Sequence, residues 1–235
     1  MSAIFRREFK SFFTGPIGYI ALAVMIASSS MFFFMYNLNY GMADLTGVFS
    51  GLFTISLLVI PFLTMRLFSD EKRQKTDQAL LTAPGSLTGI VLGKFFAALL
   101  LYTISILITL VYAVILAFKV SPDWMLLIGN FVGLLLVGAL IISIGLFISC
   151  LTESQVIAAL GTLAVSVILL TIDQIASLLS GITILEEIVG FLSITSRYSE
   201  FTAGLINYDC VIYFLTMQAL FIFLSVRILD SRRWN

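Results

Sequence analysis

Six long runs without a charged side chain divide this sequence of 235 residues. The longest lies between Lys10 and Asp44 and holds 33 residues, and the shortest lies between Asp209 and Arg227 and holds 17. Because about 20 apolar residues in a helix cross the hydrocarbon layer of a bilayer, each run can supply one span. Charged residues make up 11% of the chain, against about 25% in soluble proteins. The sequence predicts an all-α integral membrane protein.

We treat residues 1–235 as a single transmembrane domain with one predicted helix in each uncharged run. The predicted helices lie near Ile17–Tyr36, Gly47–Met65, Phe95–Phe118, Trp124–Ser149, Val156–Ile172 and Cys210–Val226. An even number of spans places both termini on the same side of the membrane.

Lysine and arginine indicate which side that is, because they are enriched on cytoplasmic segments. Two basic residues, Lys119 and Arg197, fall on the side opposite the termini. The other eleven of the 13 are Arg6, Arg7, Lys10, Arg66, Lys72, Arg73, Lys75, Lys94, Arg227, Arg232 and Arg233. The sequence therefore predicts a multi-pass protein of the bacterial cytoplasmic membrane with both termini in the cytoplasm.

Several function classes are disfavoured by what the sequence lacks. It contains no histidine, which removes His-centred triads and most transition-metal sites. Its formal net charge is zero, which argues against a nucleic-acid binder. Cys150 and Cys210 are predicted to pack at opposite membrane faces, and the segment 89–95 does not match a P-loop. We expect no enzyme activity and no cofactor bound by this chain.

Residues 1–15 predict an amphipathic helix at the membrane surface. Phe9 and its apolar neighbours can enter the headgroup boundary while Arg6, Arg7 and Lys10 meet anionic lipid. Gly15-Pro16 then breaks the helix before the first span. A disordered basic anchor is the alternative.

The connection at residues 67–94 is the one long segment on the predicted cytoplasmic side. Ser69 can cap a helix that runs to about Thr82, Pro84-Gly85 predicts a turn, and Ser86 can cap the next helix. Leu80 and Leu81 give this loop an apolar tip. The tip suits a groove on a partner protein, although it could also fold back onto the membrane surface.

This loop resembles the intracellular loop of ABC-2 type transporter permeases. The residues that carry the resemblance are Asp70-Glu71-Lys72-Arg73, Thr76, Leu80-Leu81-Thr82-Ala83-Pro84 and Ile90-Val91-Leu92-Gly93-Lys94-Phe95. Lys75 stands where the family commonly has glycine, which predicts a more regular helix here. The segments 12–19 and 232–234 are most similar to the gliding-motility-type (GldF-like) branch.

The resemblance implies a membrane subunit that pairs with a second permease subunit, identical or related, and with two ABC ATPase subunits that bind ATP and Mg. The loop residues implied to couple to the ATPase are Asp70, Glu71, Lys72, Arg73, Thr76, Leu80, Leu81 and Pro84.

Residues 174–208 form neither a span nor a plain polar loop. Apolar residues recur there at helical spacing and predict two short amphipathic helices, which resemble the re-entrant outer helices of the family. Their candidate gate residues are Leu185, Ile188, Val189, Leu192, Tyr198 and Phe201. An interfacial cap without a gating role is the alternative.

Three functions fit the sequence. The first is the permease subunit of an ABC exporter for a hydrophobic or amphipathic substrate such as a lipid-linked glycan, a peptide or a drug-like molecule. The second is a mechanotransmission or scaffold subunit that passes ATPase work to an extracytoplasmic partner. The third, an ion-coupled carrier, is disfavoured because no Asp, Glu, His or Lys lies near the centre of a predicted span, although backbone carbonyls and hydroxyls could still form a sodium site.

Overall fold

The computed structural model describes residues 2–75, 86–118, 123–178, 190, 193–205 and 207–234, and these residues form helices and connecting turns without strands. Apart from a π-helix at Phe34–Asn39 that continues α2, the helices are α1 (Ser2–Thr14), α2 (Pro16–Phe33), α3 (Thr46–Thr64), α4 (Ser69–Arg73), α5 (Leu87–Ile106), α6 (Ile108–Ala117), α7 (Trp124–Leu151), α8 (Gln155–Leu178), α9 (Ile194–Thr202) and α10 (Tyr208–Trp234).

Six helical segments are long and apolar enough to cross a membrane, as the uncharged runs predict. They are Pro16–Asn39, Thr46–Arg73, Leu87–Ala117, Trp124–Leu151, Gln155–Gln174 and Tyr208–Ser231. Helix α5 begins at Leu87, directly after the predicted cap Ser86, and continues without a break through Phe95, where the third span was predicted to start. Lys94 therefore lies about 10 Å inside a helix, at 1.5 Å per residue, rather than at its end.

The predicted N-terminal helix is confirmed and ends where Gly15-Pro16 predicts. Gly15 has an extended backbone, and Pro16 occupies the first turn of α2, where its missing N–H costs no hydrogen bond. Phe12 is buried, and Ile4, Phe5, Phe9 and Phe13 pack against the core of the chain. Much of the apolar face of α1 is thus covered by the protein itself.

Helix α7 is the centre of the bundle. In its most apolar stretch 72% of the residues are buried, against 22% in the spans that contain α2, α8 and α10. It packs against α3, α5, α8, α9 and α10. Cys150, near the end of α7, and Cys210, near the start of α10, are both buried thiols at opposite ends of the bundle, as predicted.

Small residues let other helices approach α7 closely. A Cβ atom added at Gly138 would lie 2.1 Å from Cε1 of Tyr102 on α5, and one at Gly145 would lie 2.2 Å from Oγ1 of Thr64 on α3. A Cβ atom added at Gly133 would lie 2.7 Å from Cβ of Phe201 on α9. Glycine at these three positions is thus what allows the neighbouring helices to pack closely on α7.

Tyrosine hydroxyls connect the spans within the apolar bundle. The hydroxyls of Tyr102 and Ser56 lie 2.9 Å apart, and Tyr102 also donates to the carbonyl oxygen of Leu134 at 3.2 Å. The Tyr112 hydroxyl lies 2.8 Å from that of Ser30 on α2. Since no water reaches a lipid-filled layer, such groups need partners inside the protein.

We expect Gly138→Ala to lower the free energy of unfolding by about 1–3 kcal/mol, because the new methyl group displaces Tyr102 from Ser56 and Leu134. Gly161→Ala is the control, since its added Cβ meets only the Ile148 side chain, 3.1 Å from Cγ2. Titration of the detergent-solubilised protein with a denaturing detergent measures both values. Equal stability of the two variants would contradict the packing described for α7.

Candidate functional site

Lys94 is a buried cation in an otherwise apolar segment, and only 1% of it is exposed. Its Nζ lies 3.2 Å from Oε1 of Glu8 and 3.0 Å from Oε1 of Glu71. It also donates to the carbonyl oxygen of Leu67 at 2.5 Å and lies 4.8 Å from the centre of the Phe68 ring. These contacts replace the water that the ammonium group loses on burial.

Arg7 completes a cluster of two cations and two carboxylates. Its Nη2 lies 2.7 Å from both Glu8 Oε1 and Glu71 Oε1. The hydrogen bond to Glu8 is the main reason that the pKa of Arg7 is raised, so the guanidinium stays charged. We call Arg7, Glu8, Glu71 and Lys94 the charge cluster. It joins α1, α4 and α5.

Gly93 explains how α1 comes close enough to reach Lys94. A Cβ atom added at Gly93 would lie 3.2 Å from Cγ2 of Ile4 and 3.4 Å from the backbone nitrogen of Phe5. Glu8 follows Ile4 by about one helical turn, so it lies on the same face of α1. Contact at Gly93 therefore places the Glu8 carboxylate beside Lys94.

Helix α4 is also bonded to the end of α7. The backbone N–H groups of Phe68 and Ser69 donate to Oγ of Ser149 at 3.0 and 3.1 Å. The buried Lys72 side chain donates to the carbonyl oxygen of Cys150. The last four carbonyl oxygens of a helix lack partners within the helix, and a cation suits that end of its dipole.

Asp70 connects α4 to the chain on both sides of it. Its Oδ2 accepts a hydrogen bond from Nε of Arg66 at 2.7 Å, and its Oδ1 accepts one from the Gln155 amide at the start of α8. Asp70, Glu71 and Lys72 are thus bonded within the chain, whereas Arg73 is exposed. The start of the loop is held by α1, α5, α7 and α8.

Two details predicted for this loop were wrong. Ser69 is not the N-cap of α4, because Phe68 occupies that position and Ser149 supplies the capping oxygen. Helix α4 ends at Arg73 and a turn follows at Gln74 and Lys75, so the predicted helix is interrupted there; the rest of that prediction, up to Thr82, lies outside the described residues. Lys75 then adopts a φ of +55°, which favours glycine over a side-chain residue. Ser86 caps α5 through Gly89 N–H, as predicted.

Half of the predicted loop residues lie outside the described part of the chain, namely Thr76, Leu80, Leu81 and Pro84. The same holds for the predicted gate residues Leu185, Ile188, Val189 and Leu192. Of the predicted lipid anchors, Arg6 and Lys10 are exposed, Phe9 is half-buried and Arg7 belongs to the charge cluster.

The remaining two gate residues lie on α9, at the end of the bundle opposite the charge cluster. Tyr198 and Phe201 are 3% and 0% exposed. The Tyr198 ring stacks on Phe53, with 4.6 Å between the ring centres, and its hydroxyl donates to the carbonyl oxygen of Phe49. Leu205 lies beyond the end of α9 and is exposed.

Glu200 connects α9 to α10 at the same end. Its Oε2 accepts hydrogen bonds from Nδ2 of Asn207 at 2.6 Å and from the Cys210 thiol at 3.1 Å. These hydrogen bonds, the Asn207 bond first, lower the pKa of Glu200. The carboxylate therefore holds the turn between the two helices in its ionised form.

A family model described as ABC-2 family transporter protein matches residues 21–230. The chain belongs to the ABC-2 transporter family. Its place in the family makes it a transmembrane transporter subunit and implies an ABC ATPase as its general partner. No curated protein matches the sequence. The match begins inside α2, so Arg7 and Glu8 lie outside the region that this ABC-2 permease shares with the family model.

Sequence reasoning about the ABC-2 loop missed the partners of Asp70, Glu71 and Lys72. Glu8 and Ser149 lie in segments that the sequence assigned to other roles, and Lys94 lies at the far end of the loop itself. One signal was present, because Lys94 lies among apolar residues and a charge in such a segment needs a partner. The sequence did not show that this partner is Glu8, because Glu8 and Lys94 are 86 residues apart in the chain.

We expect Lys94→Met in this ABC-2 permease to lower the free energy of unfolding by about 3 kcal/mol, because the partly buried Glu8 and Glu71 lose their buried cation and keep only the exposed Arg7. Lys10→Met removes the same charge from the exposed side of α1 and should change stability by about 0.5 kcal/mol or less. Denaturing-detergent titration measures both. If the two variants have the same stability, Lys94 does not hold the cluster together.

Lys75→Gly should raise the free energy of unfolding by about 1 kcal/mol, because glycine adopts a positive φ without steric cost. At the neighbouring Gln74, whose φ is −87°, glycine should be neutral or destabilising. The same titration compares them. Destabilisation by Lys75→Gly would show that the Lys75 side chain contributes more than its backbone strain costs.

Proposed function

We propose that this chain is the membrane-spanning subunit of an ATP-driven exporter for a hydrophobic or amphipathic substrate. In this proposal the end with the charge cluster faces the bacterial cytoplasm, in agreement with the distribution of lysine and arginine. A separate ABC ATPase binds ATP and Mg and contacts the loop at residues 76–85. The proposal rests on the start of that loop, where α4 is bonded to four other helices.

These bonds provide a path for mechanical work. An ATPase that moves the loop pulls on Asp70, Glu71 and Lys72, which are held by Arg66, Arg7 with Lys94, and Cys150 respectively. Lys72, Lys94 and Cys150 are buried, so the bonds that they make resist separation more than the exposed pair of Arg66 and Asp70 does. Displacement of α4 therefore displaces α1, α5 and α7 with it, as rigid-body rocking requires.

The interior of one subunit gives little room to a substrate. The cavity between α2, α3 and α5 measures about 10 Å³, about the space of one water. The central helix α7 is closely packed on several sides. We therefore place the substrate path between this chain and a second permease subunit. Exposed apolar side chains on α2, α8 and α10 suit both lipid and such a partner.

The proposed gate is the segment 174–208, whose described helix α9 packs on α3 and α7 through Tyr198 and Phe201. Their burial corresponds to a closed path, and rocking of α7 would loosen the contact between Phe201 and Gly133. The same close contact also favours the second candidate function. In a mechanotransmission subunit, α9 would move an extracytoplasmic partner without opening a path.

The partner contact is tested with Leu80→Asp and Leu81→Asp. Each change places a carboxylate where an apolar anchor is expected to bind the ATPase, so each should reduce the ATPase recovered with the tagged chain by about tenfold or more. Affinity purification from cells, with the ATPase recognised by its P-loop peptide, measures the recovery. Leu205→Asp is the matched control, because Leu205 is exposed at the opposite end of the bundle.

Unchanged recovery with both loop variants would refute the assignment of residues 76–85 as the coupling segment. With a complex in hand, ATP-dependent movement of a fluorescent lipid in proteoliposomes separates the two functions. Movement supports the exporter, and ATP hydrolysis without movement of any tested amphiphile supports the mechanotransmission subunit.

A further inference from the structure

A cavity of about 340 Å³ lies beside the charge cluster, between α1, the start of α2 and the segment after α3. Pockets for small ligands measure about 300–1,000 Å³, so this one can hold a compact polar group. Its lining combines apolar side chains with three cations and three carboxylates. The charged members are Arg7, Glu8, Arg66, Asp70, Glu71 and Lys94.

The position of the cavity matches the headgroup layer of a membrane. Gly15 and Ile17, at the start of the first span, form one wall, and Arg66, two residues after α3, forms another. Polar headgroups lie at this level, where the apolar parts of spans end. A headgroup in the cavity would remain attached to acyl chains in the bilayer.

Two guanidinium groups offer donors to a phosphate. Arg66 bonds Asp70 through Nε, and in the described part of the chain its terminal nitrogens make no hydrogen bond. One of them, Nη1, points across Gly15 and lies 3.5 Å from where a Cβ atom at that residue would be. Arg7 uses Nε and Nη2 and keeps Nη1. Paired arginine forks suit phosphate oxygens.

The carboxylates indicate what else the headgroup carries. The Asp70 side chain is 20% exposed and lines the cavity with Arg66. The three cations and three carboxylates of the lining cancel, so a purely anionic headgroup would add a negative charge beside Asp70 and Glu71 that nothing balances. An ammonium group next to the phosphate would balance that charge and be attracted to these carboxylates. The equal numbers of cations and carboxylates thus favour a zwitterionic headgroup.

An apolar stripe continues from the cavity along α2. Ile17 lines the cavity, and Ile20 and Val24 follow it at i+3 and i+7 on the same face. Ile20 is 58% exposed and Val24 is 41% exposed. We propose that the cavity binds an ethanolamine phospholipid, with its phosphate on Arg66 and Arg7, its ammonium group on Asp70 and one acyl chain along Ile20 and Val24.

This lipid is a resident component of the fold and is distinct from the transported substrate. Its site does not depend on the ATPase or on the direction of transport. Because it touches both α1 and Arg66, the lipid strengthens the contact between α1 and the start of the loop.

Native mass spectrometry of the full chain in detergent tests the site. The probes are dioleoyl phosphatidylethanolamine, the matching phosphatidylglycerol and phosphatidylcholine, and inorganic phosphate as a competitor. The wild type should retain the ethanolamine lipid with about tenfold greater occupancy than the other two lipids, the effect of about one charge-assisted hydrogen bond. Millimolar phosphate should not displace the lipid, because phosphate has no acyl chain to contact Ile20 and Val24.

Two variants separate the site from general lipid binding. Arg66→Gln removes the guanidinium donors of Arg66 and leaves those of Arg7, and Ser11→Phe fills the cavity without changing a charge. Each change should lower the occupancy about tenfold. Arg6→Gln removes one exposed charge from the same helix but none from the cavity, and should retain the lipid. Ser11→Phe decides the outcome if Arg66→Gln fails to fold.

Equal binding of the ethanolamine lipid by wild type and Ser11→Phe would overturn the site. Equal occupancy by phosphatidylglycerol would overturn the zwitterionic assignment, and displacement by phosphate would show an anion site rather than a lipid site.

Discussion

The burial of one ammonium group, that of Lys94, determines how the charged end of this ABC-2 permease is built. A cation removed from water needs several compensating groups, and here they come from three segments of the chain. Glu8 arrives on α1, Glu71 on α4, and the Leu67 carbonyl oxygen on the turn between α3 and α4. The positions of α1 and α4 follow from this requirement.

Such a cluster fixes geometry more than it adds stability. Buried ion pairs contribute little compared with well-packed apolar residues, but losing one partner is costly. The cluster therefore disfavours arrangements in which α1 or α4 lies elsewhere. Close helix contact works with it, because Gly93 brings α1 onto α5 and Ser149 receives the first N–H groups of α4. A force applied to the loop meets a connected end of the bundle.

The sequence predicted the spans well because each depends on a local property, the absence of charge over about 20 residues. The central helix was placed at Trp124–Ser149 and extends over Trp124–Leu151. The interior of the candidate site was not predicted, since Glu8 and Lys94 meet across 86 residues of sequence. Lys75 shows a second limit. The lysine at this position predicted a regular helix, while its backbone adopts the conformation that glycine allows without strain.

The order of residues in the chain has a consequence for membrane insertion. Glu8 is synthesised long before Lys94, and the two can meet only after the first and second spans have brought the chain back to the end of the bundle where α1 lies. Until Lys94 has been synthesised, Glu8 and the apolar face of α1 lack the partner groups that α5 supplies. Docking of α1 onto α5 therefore requires that α1 and the start of α5 lie on the same side of the membrane, which is so only when the spans between them have been inserted correctly.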